Sequence, residues 1–216
     1  MLFRSSETPS LYIANKLMWN PQADVDAMLE EFFTNFFGPA AAPMRTYIQA
    51  LDKRLATADH HSGGAWDLPL IYDADTRLIA DAALTQAQQL ATSEPYAARV
   101  KAFSDCWRQF VLFDQMLRMR DQHDYARSMQ SLNELTTLQK QLRDFKPMLV
   151  NSKVDEYMTR FYKAGTIEGY NKTTGSNQFV AGLKSQWQFL LDPANIGTDR
   201  KSTRLNSSHL VISYAV

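Results

Sequence analysis

Two adjacent histidines and nearby carboxylates in one short segment could bind a metal ion. Asp59, His60 and His61 are consecutive and Asp67 follows them, within DHHSGGAWDLPLIYD at residues 59–73. Zinc sites use His and Asp side chains, but adjacent histidines point apart on most backbones, and no i, i+4 pair supports these two. The Gly-Gly and Pro content predicts a solvated loop instead. We therefore predict no metal site and no cofactor.

Paired carboxylates, the residue type of acid–base catalysis, occur early in the chain as Asp24, Asp26, Glu30 and Glu31. An Asp ahead of an apolar run caps a helix, and a second acidic residue suits the positive end of the helix dipole. The two glutamates then fall on the solvent side. The pattern predicts helix-start and surface charges rather than a catalytic pair.

Asp114 is the most unusual acidic residue. Between residues 95 and 119, apolar residues recur at alternating intervals of four and three, and Asp114 occupies one of the positions in this pattern. A carboxylate in such a place needs a charged or hydrogen-bonding partner. Arg118, one turn later, is the predicted partner. Cys106 has no evident His partner and is predicted to be a small core residue. We assign no catalytic residue.

Tryptophan rings are candidate ligand contacts, because an aromatic face can stack on a sugar ring. Trp66 lies in the Gly-rich loop, and we predict that it contacts a ligand. Trp19 lies beside a predicted helix end, where packing is the expected role.

The elements that position these residues are helices almost throughout. Asn20-Pro21 ends the first and Gly38-Pro39 the second. Short connections between helices predict a mainly α fold, an antiparallel array of about seven helices. The predicted helices span residues 10–20, 24–37, 40–58, 75–92, 95–119 and 125–145, with a last one after Asn151-Ser152.

Apolar residues recur at helical spacing and predict the buried face of each helix. Four phenylalanines, Phe32, Phe33, Phe36 and Phe37, fall within six residues. They favour either a compact core or an apolar docking face, and we expect a mixture of the two. For the third and fourth helices the predicted buried stripes are Met44, Tyr47, Ile48, Leu51 and Leu55, and Ile79, Ala82, Ala83, Gln86 and Leu90.

The bulk composition limits the range of partners. Lys plus Arg and Asp plus Glu number 23 each, so no net charge attracts the chain to nucleic acid or to an anionic membrane. No apolar run approaches the ~20 residues that span a bilayer. The lone cysteine leaves the cellular compartment open.

The character of the chain changes after Gly169. Residues 171–182 are turn-rich and polar, and Trp187, Phe189 and Leu191 then alternate with other residues as in a strand. Because a single strand is not stable alone, residues 171–198 are predicted to be a linker and the start of a truncated β-sandwich.

The last segment resembles a translated short-read sequencing adapter. DRKSTRLNSSH matches one reading frame of the adapter, and ISYAV matches the constant part after the barcode. Residues 199–216 are therefore expected to be an artefact.

Residues 12–51 resemble the post-barrel segment of an uncharacterised family of glycoside-hydrolase-like proteins, with distant features of alpha-glucuronidases and beta-N-acetylhexosaminidases. The resembling residues are Lys16, Leu17, Trp19, Asn20 and Pro21, then Asp24 and Asp26, then Phe36, Phe37, Gly38, Pro39, Ala40 and Ala41. PYAARVKAFSDCWRQFVLF at 95–113 resembles the next helical segment of that family, and WQFLLDPANIG at 187–197 the opening of a galactose-binding-like β-sandwich.

The resemblance implies a carbohydrate-active parent protein with a (β/α)8 barrel, a helical region and a β-sandwich. Residues 1–20 would end the barrel, and residues 21–170 would form the helical domain. The partners would be the parent's barrel and β-sandwich, with a polysaccharide or oligosaccharide bound through the parent, which is expected to be secreted or periplasmic. Two carboxyl groups at barrel strand ends would carry the reaction, and this chain contains no such strands.

Two alternatives stay open. One is a free-standing helical interaction module with no enzymatic role. The other is an intact helical enzyme that uses Asp114 or the His60-His61 loop.

Overall fold

A computed structural model describes residues 8–61, 67–145 and 159–174, all within the first of two compact units, Met1–Val180. The second unit, Ala181–Val216, lies outside the described residues. The helices are α1 (Thr8–Trp19), α2 (Val25–Phe37), α3 (Ala41–Ala56), α4 (Leu68–Ile71), α5 (Ala74–Leu90), α6 (Tyr96–Asp121), α7 (Tyr125–Phe145) and α8 (Ala164–Thr174). A 3-10 turn, Gly38–Ala40, separates α2 from α3, and a π-helical segment, Thr159–Lys163, precedes α8.

The predicted mainly α fold is confirmed. Apart from the single turn of α4, the helices number seven, and the described ranges contain no strand. Two hydrogen bonds between α6 and α7 show that these neighbouring helices run antiparallel. Ser128 near the start of α7 donates to the carbonyl of Met116 near the end of α6 at 2.8 Å, whereas Arg108 and Glu134, farther from that turn on the two helices, pair at 3.0 Å.

The predicted start of a β-sandwich, residues 171–198, lies mostly outside the described residues, as does the adapter-like tail at 199–216. Its first residues continue α8 to Thr174, where the sequence predicts a turn-rich segment. The hydroxyl groups of Thr173 and Thr174 donate to carbonyls of the preceding turn at 3.0 and 2.7 Å. These polar side chains therefore hydrogen-bond to the helix itself.

Local signals set both ends of α2. Asp24 accepts hydrogen bonds from the backbone N–H groups of Asp26 and Ala27 at 2.9 and 3.2 Å, as predicted for an N-cap. Gly38 ends the helix with φ of +52°, a conformation that favours glycine, although its ψ of −120° lies outside the left-handed helical well. A Cβ atom at Gly38 would lie 2.6 Å from the Tyr96 ring, so the close approach of α6 also requires glycine.

The phenylalanine cluster of α2 is core. Phe32, Phe33 and Phe37 are 3%, 2% and 0% exposed, and Phe36 is half-buried. A docking role is therefore wrong for Phe32, Phe33 and Phe37, because neighbouring helices cover these rings. Guanidinium groups cover the remaining edge: Arg45 lies 4.6 Å from the Phe33 ring and Arg99 lies 4.5 Å from the Phe36 ring.

The long helix α6 is shared by two hydrophobic clusters, which explains why it is buried on several sides. Its first half joins α2, α3 and α5 in the larger cluster, through Val100, Phe103, Trp107 and Phe110. Its second half packs against α7, through Leu112, Phe113 and Met116. Tyr162 joins this second cluster with its ring 5.5 Å from that of Phe113.

The buried stripes of α3 and α5 differ in how well the sequence predicts them. In α3 the stripe is confirmed from Met44 to Leu51, but Leu55 is 45% exposed. In α5 only Ala83 of the predicted stripe is buried. The face of α5 that packs against α3 and α6 consists instead of Thr76, Ala80, Ala83, Leu84 and Ala87.

Candidate functional site

Asp114 on α6 is the centre of a buried ion-pair network. Its side chain is 6% exposed and that of Arg77 on α5 is 17% exposed. Arg77 donates to both carboxylate oxygens, from Nη1 to Oδ2 and from Nη2 to Oδ1, the latter at 3.1 Å. Arg118 Nε donates to Oδ1 at 3.0 Å and to Oδ2 at 2.8 Å. The predicted Arg118 partner is confirmed, and Arg77 is a partner that the sequence did not indicate.

Arg77 also binds the segment that leads into α5. Its Nε donates to the carbonyl of Tyr72 at 2.7 Å and its Nη2 to that of Pro69 at 3.2 Å. The guanidinium lies 5.2 Å from the centre of the Phe110 ring. The Asp114 carboxylate thus accepts hydrogen bonds from three N–H groups, and the Arg118 Nε hydrogen is shared between its two oxygens. This arrangement engages both oxygens of Asp114 and holds residues 69–72 against α6.

Two titratable groups beside the network have raised pKa values. Tyr72 is 6% exposed, with its ring 5.4 Å from that of Phe110. Burial, and then the nearby Asp52 charge, raises the pKa of Tyr72 to about 12, so this phenol remains protonated near neutral pH. Partial burial also raises the pKa of the Asp52 carboxyl. Tyr72 is therefore not set up as a base near neutral pH.

The Asp52→Asn variant is expected to raise the free energy of unfolding near neutral pH by about 0.3 kcal/mol, a small gain because part of the side chain is exposed and solvent screens its charge. The folded protein holds the Asp52 proton more tightly than the unfolded chain does. The carboxyl therefore favours folding at pH values below its ordinary pKa, and this contribution is lost as the pH rises through the raised folded value. Urea unfolding across this pH range measures the difference, and the free energies of unfolding of the variant and the wild type should become equal at acidic pH. A variant that is less stable than the wild type near neutral pH would contradict this account.

The candidate metal loop does not assemble a metal site in the part of the chain that the structure describes. Asp59, His60 and His61 are exposed, and Asp67 is half-buried. No group of three His, Cys, Asp or Glu side chains suited to a metal ion occurs among the described residues. Trp66, the predicted ligand contact, lies outside the described residues.

The other acidic candidates have structural roles, as the sequence predicts. Glu30 pairs with Arg45 of α3, and Glu31 pairs with Lys16 of α1. The hydrogen bond from Lys16 lowers the pKa of Glu31. Cys106 is fully buried, which confirms a core role.

The outward side of α1 is an exposed apolar surface, which we call the α1 face and define by Leu11, Ala14, Asn15, Met18 and Trp19. Leu11 is 57% exposed, Met18 is 73% exposed and Trp19 is 91% exposed. The predicted packing of Trp19 is therefore wrong. The reason is geometric: Trp19 is the last residue of α1, and the chain turns away immediately afterwards, where the Asn20 side chain accepts from the Gln22 backbone N–H at 3.2 Å.

A second apolar surface lies on α5, and three of its four residues, Ile79, Ala82 and Leu90, belong to the predicted buried stripe. We define the α5 face by Leu78, Ile79, Ala82 and Leu90; the three large side chains are 71%, 46% and 41% exposed. Ala82 is exposed as well. Within the described ranges, no helix is long and apolar enough to cross a membrane.

The comparisons with known proteins concern the first three helices. The profile of a domain of unknown function (DUF4838) matches residues 4–49. This stretch contains α1, α2 and the first part of α3, including the whole α1 face. No curated protein and no solved structure matches the chain. The resemblance to an uncharacterised family is thus supported over residues 4–49.

Proposed function

We propose that this chain is the non-catalytic helical region of a larger, carbohydrate-active, glycoside-hydrolase-like protein. In this role it buttresses a preceding catalytic barrel and links it to a β-sandwich. The observation that carries the proposal is the α1 face, an apolar surface within the stretch that matches DUF4838. The carbohydrate part of the proposal is supported by the sequence resemblance, and Trp66 remains its candidate saccharide contact.

The chemistry of the α1 face suits a domain interface. Lys16 is the only charged residue among Thr8–Trp19, and it pairs with Glu31 on α2. The outward side therefore carries no charge. Its exposed side chains present on the order of 500 Å² of surface, as much as the largest apolar patch on a typical monomer, and such patches mark interaction sites.

A scaffolding role agrees with the buried Asp114 network. A glycosidase needs two carboxyl groups on either side of the scissile bond. Asp114 has its oxygens occupied by Arg77 and Arg118. Its contribution is to fix α5 against α6, which stiffens the helical region between two neighbouring domains.

A free-standing helical interaction module is the second candidate, and the α5 face favours it. This face is also uncharged, and it belongs to a different helix from the α1 face. A module that binds two protein partners would use both surfaces without any enzymatic domain.

Sequencing the natural locus beyond both ends of this reading frame tests the proposal. We expect an in-frame segment ahead of Met1 that encodes alternating strands and helices of barrel type. That segment, produced separately, should bind this chain, and Met18→Glu should weaken binding at least about 10-fold because it buries a charge without a partner. The matched control Leu78→Glu, on the α5 face, should change binding less than about 2-fold. A stop codon followed by a functional start at Met1 would contradict the barrel assignment.

A further inference from the structure

The last described helix, α8, packs against the α6–α7 pair through small and polar residues. Thr166 and Gly169 are the buried residues within its described span, and its one large aliphatic residue, Ile167, is 38% exposed. Isolated helices shorter than about 12 residues are marginal in water, so a short helix depends on packing of an apolar face. With 11 residues and no such face, α8 has little apolar surface to hold it in place.

Hydrogen bonds between buried polar groups connect this helix to its neighbours. Ser128 Oγ donates its one hydrogen to the Met116 carbonyl at 2.8 Å, so in its 3.0 Å contact with Thr166 the Thr166 hydroxyl donates. Lys163, in the π-helical segment before α8, donates from Nζ to Gln139 Oε1 at 3.1 Å. Such bonds add little net free energy, because bonds to water replace them when the groups separate.

The larger hydrophobic cluster contrasts with this interface. It joins α2, α3, α5 and α6 through buried aromatic and aliphatic side chains such as Phe37, Met44 and Phe110, and none of the described residues of α8 belongs to it. The second cluster includes Tyr162 from the segment before α8. Elements that bury little apolar surface open at a lower free energy than the core. Residues 159–174 should therefore open while the larger cluster stays folded.

We propose that residues 159–174, which we call the α8 strap, dock on the α6–α7 pair and undock from it as one unit while the larger hydrophobic cluster stays folded. This conformational change goes beyond the proposed function, because it belongs to this chain alone and needs no partner domain. In the proposed parent protein the α8 strap leads into the predicted linker at 171–198, so undocking would lengthen the tether to the β-sandwich.

Native-state hydrogen exchange of the 216-residue chain, followed by NMR, tests the inference. The hydrogen-bonded amides of α8 should share one protection factor, at least about 100-fold lower than that of the slowest amides in α3 and α6. Low urea concentrations should accelerate exchange in α3 and α6 but change it little in α8, because undocking exposes less surface than global unfolding. Equal protection of the three helices would overturn the inference, and so would a gradient of protection along α8, which indicates fraying from its end.

Two glycines of α8 supply matched variants. A Cβ atom at Gly169 would overlap the Tyr125 ring, whereas a Cβ atom at Gly165 would lie 3.5 Å from Nη1 of Arg120, an ordinary contact distance. Alanine raises helix propensity at both positions, so the two variants differ in docking alone. Gly169→Ala should lower the protection of α8 at least about 10-fold, and Gly165→Ala should leave it unchanged or raise it.

The amides of α3 and α6 should remain the most protected in the Gly169→Ala variant, because the larger cluster does not include the α8 strap. Adding Tyr125→Ala should raise the protection of α8 above that of Gly169→Ala alone, since the obstructing ring is removed. A Gly169→Ala protein in which α8 is as protected as in the wild type, or in which α3 and α6 become as poorly protected as α8, would overturn the inference.

Discussion

Replacing Asp114 by alanine is expected to lower the free energy of unfolding by about 3–5 kcal/mol, the range for removal of one partner from a buried ion pair. The substitution leaves the guanidinium of Arg77, 17% exposed, without its carboxylate while its bonds to backbone carbonyls hold it in place. It also releases residues 69–72 from α6. Urea unfolding followed by circular dichroism measures the change.

Arg118→Ala is the matched control, because it removes the other cation from the same carboxylate. The Arg118 side chain is 54% exposed, so its loss should cost about 1 kcal/mol or less. The double variant Arg77→Met, Asp114→Leu should be more stable than Asp114→Ala, since it leaves no unpaired buried charge. An Asp114→Ala protein no less stable than Arg118→Ala would show that the network is not a structural anchor.

The sequence indicated only half of this network. Arg118 follows Asp114 by one helical turn, and such pairs can be predicted from spacing alone. Arg77 lies 37 residues before Asp114, and only the packing of α5 on α6 brings the two together. A contact of that kind leaves no local signal. The same holds for Asp81, which accepts a hydrogen bond from the Trp107 indole at 2.6 Å across the same two helices.

Helix positions were predictable where large apolar residues mark the buried side. The stripe of α3 fits this rule as far as Leu51. In α5 the large apolar residues Leu78, Ile79 and Leu90 are exposed, whereas Ala80 and Ala87 are buried together with Leu84. Small residues allow α3 and α6 to approach α5 closely, so close packing rather than residue hydrophobicity decides which side of α5 is buried. A hydrophobic pattern in the sequence does not show how close the neighbouring helix will be.

The two errors in the sequence analysis that concern exposed surfaces have a common origin. Trp19 and three residues of the α5 face, Ile79, Ala82 and Leu90, were expected in the core because apolar residues are most often buried. Both assignments assume that a helix has a neighbour on its apolar side within the same domain. In an isolated domain the apolar faces of α1 and α5 would be expected to be buried, but here they are exposed. The functional proposals rest on these two surfaces.

Phe37→Ala should lower the free energy of unfolding by about 3–5 kcal/mol, as expected when a fully buried phenylalanine ring is removed. The ring is 0% exposed and lies 4.9 Å from that of Phe36, 5.1 Å from that of Phe103 and 5.8 Å from that of Phe32, between ring centres. It therefore joins α2 to α6 at the centre of the larger cluster. Urea unfolding of the purified variant measures the loss.

Phe36→Ala, at the neighbouring position, is the control. Phe36 is half-buried beneath Arg99, whose Nη1 also donates to the Phe36 carbonyl at 3.0 Å, a backbone contact that the variant retains. The expected loss is about 1–2 kcal/mol, from partial burial and one cation–π contact. A docking surface would behave differently, because both rings could then be removed at little cost to folding while binding of a partner was lost. A large loss for Phe37→Ala and a smaller one for Phe36→Ala would therefore assign the phenylalanines to the core and leave α1 and α5 as the surfaces available to partners.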